Sequence, residues 1–219
     1  MTARQAPRPS KPRRAYSRSE HIGDSAVHVL GVGFGLGAVA WLLFHVSGAA
    51  VIASVSVYCA GLLAMLSASA LYNMTPQGPS KEILRRLDHA AIFIMIAATY
   101  TPFAVNRLGA PTGPLILSAI WVTAGLGIFL KLVFPRRFEM FSVALYLAMG
   151  WLSVSVLKPL ASNVAEVNFW LLVAGGLVYS AGVVFYLMER LPFHKAIWHC
   201  FVLSAAVLHF TAIAMEFTT

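Results

Sequence analysis

In the stretch LRRLDHAAIFIMIAATYTPF, Leu84 to Phe103, two arginines, an aspartate and a histidine run directly into an apolar segment. An acid at the start of an apolar helix is costly to place there and marks a functional site when a partner is at hand. Asp88 is that acid. Other polar residues recur at helical spacing in apolar surroundings: Ser69 and Asn73 are four apart, Lys195 and His199 are four apart, and Glu20, Asp24 and His28 form a stripe with the same interval. Residues at i and i+4 share one helix face. The set offers a carboxylate to hold a cation or proton, a hydroxyl and an amide to hydrogen-bond, an ammonium to pair with an acid, and imidazole to carry a proton or ligate a metal. For the Glu20, Asp24 and His28 stripe, local capping and pairing at a helix entrance is an equally good reading.

These residues must be positioned by membrane helices. The chain is 59% hydrophobic and 11% charged with a mean hydropathy of +0.76, whereas soluble domains are roughly one quarter charged. A bilayer core needs about 20 apolar residues per helix, and seven runs approach that length, near 25–47, 50–72, 88–106, 113–134, 139–158, 168–188 and 196–216. The expected architecture is an all-α polytopic membrane protein with seven transmembrane helices over 21–219, preceded by a disordered basic tail over 1–20. The first apolar run is too long for a signal-peptide core, so an uncleaved first span is expected. With the tail in the cytoplasm, 14 of the 16 lysines and arginines fall on that side and only Arg107 and Lys158 on the other. The positive-inside rule then places the N-terminus in the cytoplasm and the C-terminus outside. The basic excess is thereby explained by topology and does not point to nucleic acid. Cys59 and Cys200 sit in separate apolar runs, as small hydrophobes do. Gly31, Gly33, Gly35 and Gly37 in the first span let helices approach closely, within this chain rather than between copies. Pro102 should interrupt the third span, with Thr99 or Thr101 satisfying the freed carbonyl.

On these spans the chemistry gathers at one level. Ser69 and Asn73 lie where the second span leaves the membrane, Asp88 opens the third, and Lys195 and His199 open the seventh after Pro192. Each residue alone is a weak signal; their common depth is the stronger one. His209 lies about 15 Å along the helix from His199, too far to share its site, and is expected to be satisfied by a neighbouring hydroxyl.

The motifs SALYN from Ser69, RRLDHAAIF from Arg85, TYTPF from Thr99 and HKAIWHCFVLSAAVLHF from His194 resemble the hemolysin III branch of the progestin and adipoQ receptor family, the adiponectin receptor-like proteins. The likeness covers essentially the whole chain after the tail and implies a bacterial inner (plasma) membrane. It further implies a relation to alkaline ceramidases and a zinc site made from Ser-xxx-His on span two, an aspartate on span three and His-xxx-His on span seven. In such a site three histidines bind the metal and the aspartate holds or activates a water for hydrolysis of a lipid amide. Ser69, Asp88 and His199 match this pattern. Asn73 and Lys195 stand where two of the histidines belong. The resemblance also places acidic or amide residues and a histidine at the stripe in the first span.

Asn is a poor zinc ligand, and Lys binds zinc only as the neutral amine, so three histidine ligands cannot assemble in this register. The expectation is a metal-free cluster in which the Lys195 ammonium faces Asp88 and takes the place of the cation. A shifted metal site from Asp88, His89, His194 and His199 is the alternative. Against it, positions 194 and 199 are roughly 140° apart around an ideal helix, while 195 and 199 are roughly 40° apart. The leading functional reading is a lipid- or fatty-acid-binding regulator of membrane homeostasis. A metal-dependent lipid amide hydrolase is second. A proton or ion conduit is third, because no continuous polar row crosses the spans.

Overall fold

A computed structural model describes residues 16–134 and 136–218; positions 1–15 of the expected tail lie outside them. Among the described residues every regular element is helical: α1 (Arg18–His45), α2 (Ala49–Met74), α3 (Pro79–Asn106), α4 (Thr112–Val133), α5 (Glu139–Gly150), a 3-10 segment (Trp151–Val156), α6 (Leu157–Asn163), α7 (Glu166–Leu187) and α8 (His194–Phe217). The fifth span joins α5, the 3-10 segment and α6, so seven units are long and apolar enough to cross a membrane. The chain is a multi-pass membrane protein. Short connections make successive spans antiparallel, and the starts of α1, α3, α5 and α8 share one side, here the N-terminal side, with the ends of α2, α4 and α7.

Helix ends follow local chemistry. The Ser17 hydroxyl accepts the Glu20 N–H at 3.2 Å while the Glu20 carboxylate accepts the Ser17 N–H at 2.8 Å, a reciprocal cap that starts α1 at Arg18. Pro79 occupies the first turn of α3, where its missing N–H has no helical partner to lose. That helix therefore begins nine residues ahead of the expected position 88. Pro159 likewise falls in the first turn of α6. The fifth span runs past Pro159 to Asn163 and is interrupted earlier, at Trp151–Val156, where α5 gives way to 3-10 geometry. The Tyr100 hydroxyl donates toward the Met149 and Gly150 carbonyls at 2.9 and 2.8 Å and accepts the Ser153 N–H at 2.8 Å. Backbone freed by the break is thus satisfied inside the protein, as an apolar surrounding demands.

α3 is the most buried span. Leu42, Val55, Tyr58 and Leu62 form a core on its α1 and α2 side, and Phe93, Ala97, Ile120 and Ala124 one on its α4 side. The outward faces stay apolar, with Phe44 87% and Val122 73% exposed, as lipid contact requires. Gly31 and Gly35 both meet Leu66 of α2, whereas Gly33 and Gly37 have nothing beside them. Half of the glycine stripe is therefore an intramolecular seam. Thr99 and Thr101 donate to the carbonyls of Met95 and Ala97 and not to that of Ala98, the carbonyl that Pro102 leaves free. On the side opposite the N-terminal one, the buried Glu216 carboxylate pairs with Arg107 and accepts from the Asn168 amide at 2.8 Å and the Ala165 N–H at 3.2 Å, which ties α3, α7 and α8 together.

Candidate functional site

The first and last spans meet at the site. Glu20 accepts the Phe193 N–H at 2.8 Å, joining α1 to the residue before α8, which is in the left-handed conformation at φ 60°. One turn further along α1, Asp24 reaches His199: its Oδ1 lies 2.6 Å from Nδ1 of the imidazole. An ionised carboxylate only accepts, so Nδ1 of His199 carries the proton of that bond. His28, one more turn along, has Nε2 3.8 Å from Oδ2 of Asp24 and its ring centroid 4.4 Å from that of His199. Asp24, His28 and His199 are all buried, and Nε2 of His28 has no hydrogen-bond partner.

His28, His199, Ser69 and Asp88 line one end of an internal cavity of about 250 Å³. Ser69 adjoins Asp88, and the carboxylate lies in the field of His28, Lys195 and Asp24. Lys195 does not meet Asp88 directly. Its ammonium lies over the Tyr16 ring, 5.3 Å from the centroid, and Lys195 is not part of the cavity wall. Asn73 is turned back on its own helix, donating to the Ser69 carbonyl at 3.0 Å. Of the shifted set, His89 is drawn to Glu139 at 3.7 Å and His194 stands edge-on to Tyr16 at 6.2 Å, so neither joins Asp88 and His199. His209 binds the Leu172 carbonyl at 3.1 Å, a backbone group in place of the expected hydroxyl. The zinc ligand set implied by the resemblance does not fit here, because the Asn73 amide and the Lys195 ammonium occupy its positions and both have other partners.

A second polar cluster was not anticipated. The buried Lys131 ammonium of α4 lies 3.0 Å from Glu139 of α5, which also pairs with Arg85 of α3 at 2.9 Å. Arg85 and Arg136 both bind Glu82, each at 2.9 Å. Lys131, Glu139 and His89 also line the cavity that Asp88 borders, so Lys131 is a cation on its wall. The sequence carried a signal in the form of a lysine inside an apolar helix face and an acid in the next first turn.

Beyond these groups the cavity is mostly apolar, running past Met95, Phe103 and Val202 to Leu108 and Leu160 near the other side, with Thr99, Tyr100, Ser180 and His209 also on its wall. α7 packs chiefly on α8, and the fifth span touches α3, α4 and α7 only sparsely, so the fifth span and α7, which both line the cavity, are loosely joined.

A seven-span bundle that gathers carboxylates and histidines at one end of an apolar internal cavity defines a polytopic membrane protein with a buried polar centre. The chain belongs to the Haemolysin-III related family, which it matches over residues 16–210. It is 34% identical over 201 residues to a hemolysin-3 homolog of Bacillus subtilis (strain 168), covering 90% of this chain and 94% of that one. Its identity to a hemolysin-3 of Bacillus cereus is 36% over 197 residues, covering 89% and 90%. A more distant likeness, 29% over 165 residues and covering 72% and 67%, is to the human monocyte to macrophage differentiation factor. No solved structure matches the chain significantly.

Proposed function

We propose that this protein binds a membrane lipid or fatty acid within the bundle and acts in membrane homeostasis. The observation that carries the reading is the polarity of the cavity: its length is mostly apolar, and its charged groups, Asp88, Glu139 and Lys131, collect with His28, His89 and His199 at the N-terminal side, while His209 stands further along. An acyl chain suits the apolar length, and a polar head suits the end where hydrogen-bonding and charged groups converge. The sparse contact between the fifth span and α7 is a natural place for a chain to enter from the bilayer. We place the protein in a bacterial plasma membrane on its likeness to hemolysin-3 proteins of Bacillus, with its N-terminus inside on the distribution of lysine and arginine. A C-terminal alkaline phosphatase fusion is then active, and an inactive one reverses the orientation.

The test is lipid mass spectrometry on the protein purified in detergent. The expected result is one lipid class retained above the background of empty micelles. Gly176 lines the cavity, and a Cβ there would meet the Trp151 ring only at an ordinary contact distance of 3.9 Å, so Gly176→Leu should deplete that lipid without unfolding the protein. Equal lipid content in wild type and variant overturns the reading.

One observation favours a second reading, lipid amide hydrolysis. Asp24 holds His199 in one tautomer at the cavity wall, the arrangement in which a carboxylate orients a general base. Release of fatty acid from a fluorescent ceramide by wild type and not by His199→Ala supports it, and equal release by both removes it.

A further inference from the structure

We propose that Asp24, His28 and His199 form a zinc site between α1 and α8, displaced from the α2 and α8 set that the resemblance implies. This inference depends on neither lipid binding nor hydrolysis. The three side chains each offer one donor atom, and these atoms lie within 4.8 Å of one another. Zinc bonds of about 2.0–2.2 Å set tetrahedral ligand atoms about 3.3 Å apart. The 2.6 Å contact of Asp24 with His199 must therefore lengthen as Nδ1 gives up its proton and the neutral imidazole carries its one N–H at Nε2, and the 3.8 Å separation of Asp24 from His28 must shorten. Both changes are within the reach of side-chain rotation.

Three further observations point to an ion there. Nε2 of His28 is buried without a hydrogen-bond partner, an arrangement that costs about 1–3 kcal/mol unless something occupies the position. The donor set is two imidazoles and one carboxylate, with Asp24 and His28 at the i, i+4 spacing that lets one helix supply two ligands. A three-ligand set of this kind leaves a fourth position open. Here His28 and His199 border the cavity that Asp88 and Ser69 also line. Lys195 does not block the site, because its ammonium lies over the ring of Tyr16. The Glu20 bond to Phe193 already holds α1 against the start of α8, so the two ligand-bearing helices are in place. The substitutions at Asn73 and Lys195 remove the metal from one pair of helices, and α1 supplies the missing donors to the histidine that remains.

The test uses the full chain in detergent, purified through a non-histidine tag, exposed to zinc chloride and desalted before metal analysis. The expected result is about one zinc per chain in wild type and a loss of at least about tenfold in His28→Gln. Asn73→Ala and Lys195→Ala should keep the wild-type content. X-ray absorption at the zinc edge of the wild-type protein should show two imidazoles and oxygen ligands, a readout that holds even where a variant fails to fold. Wild type that retains no zinc, His28→Gln that retains the full amount, or a spectrum with fewer than two imidazoles overturns the site.

Discussion

Nδ1 of His199 in the last span meets Oδ1 of Asp24 in the first at 2.6 Å, and both side chains are buried. The bond closes the bundle where the two ends of the chain come together. Removing His199 strands the Asp24 carboxylate in the bundle, and a stranded buried charge costs about 3–5 kcal/mol, while removing Asp24 leaves the imidazole N–H unpaired at about 1–3 kcal/mol. Asp24→Ala and His199→Ala, each measured by thermal unfolding in detergent with chelator present, are both expected to be destabilised. The double variant should lose less than the two single losses combined, by about 0.5–3 kcal/mol. Simple additivity would mean that the two residues act separately.

Glu216 makes the corresponding prediction at the opposite end of the bundle. It pairs with Arg107 and accepts from Asn168 and the Ala165 N–H. Its own side chain is 6% exposed and that of Arg107 is 32% exposed. The acid is the hub and the arginine a half-wet partner. Glu216→Ala leaves several donors unpaired, each costing about 1–3 kcal/mol, so its melting temperature should fall well below that of Arg107→Ala. Equal losses would place the stabilisation in the ion pair alone.

The seven spans were legible because hydropathy over about 20 residues reports the bilayer directly. Their ends were not. α3 starts at Pro79 because Glu82, Arg85 and Arg86 form ion pairs on the helix surface, which hydropathy reads as the end of an apolar segment. The 3-10 interruption after Gly150 was hidden because its partner, Tyr100, lies about fifty positions away in sequence. Within the site, the spacing of Asp24 and His28 was visible, and so was His199. That α1 packs against α8 is a fact of tertiary arrangement that helical periodicity does not contain. Asp88 lines the cavity, yet the cation nearest in sequence pattern, Lys195, lies over the Tyr16 ring. The cation on the cavity wall is Lys131.

Tyr100→Phe tests how the broken fifth span is held. The hydroxyl serves two carbonyls and one N–H around Met149 to Ser153, and its loss leaves backbone groups unsatisfied beside an apolar cavity. A cost of about 1–3 kcal/mol is expected. The more specific readout is hydrogen exchange, which should accelerate across 149–156 and stay unchanged in α2. Uniform acceleration along the chain would mean that the tyrosine supports the bundle generally.

The glycine stripe of α1 separates packing within the chain from packing between chains. A Cβ at Gly35 would come within 2.7 Å of Leu66, whereas at Gly33 it would meet nothing. Gly35→Val overfills the α1–α2 seam, and overpacking of this kind costs about 1–3 kcal/mol. Gly33→Val faces outward and should leave the melting temperature of the monomer unchanged. The two positions lie on one helix, two residues apart, so their difference reports the side they face and cancels the loss of glycine flexibility. Light scattering in detergent completes the comparison. A Gly33→Val protein that melts like wild type but has lost an oligomer would assign the outer glycines to a partner copy, and one that keeps the wild-type mass assigns them to lipid.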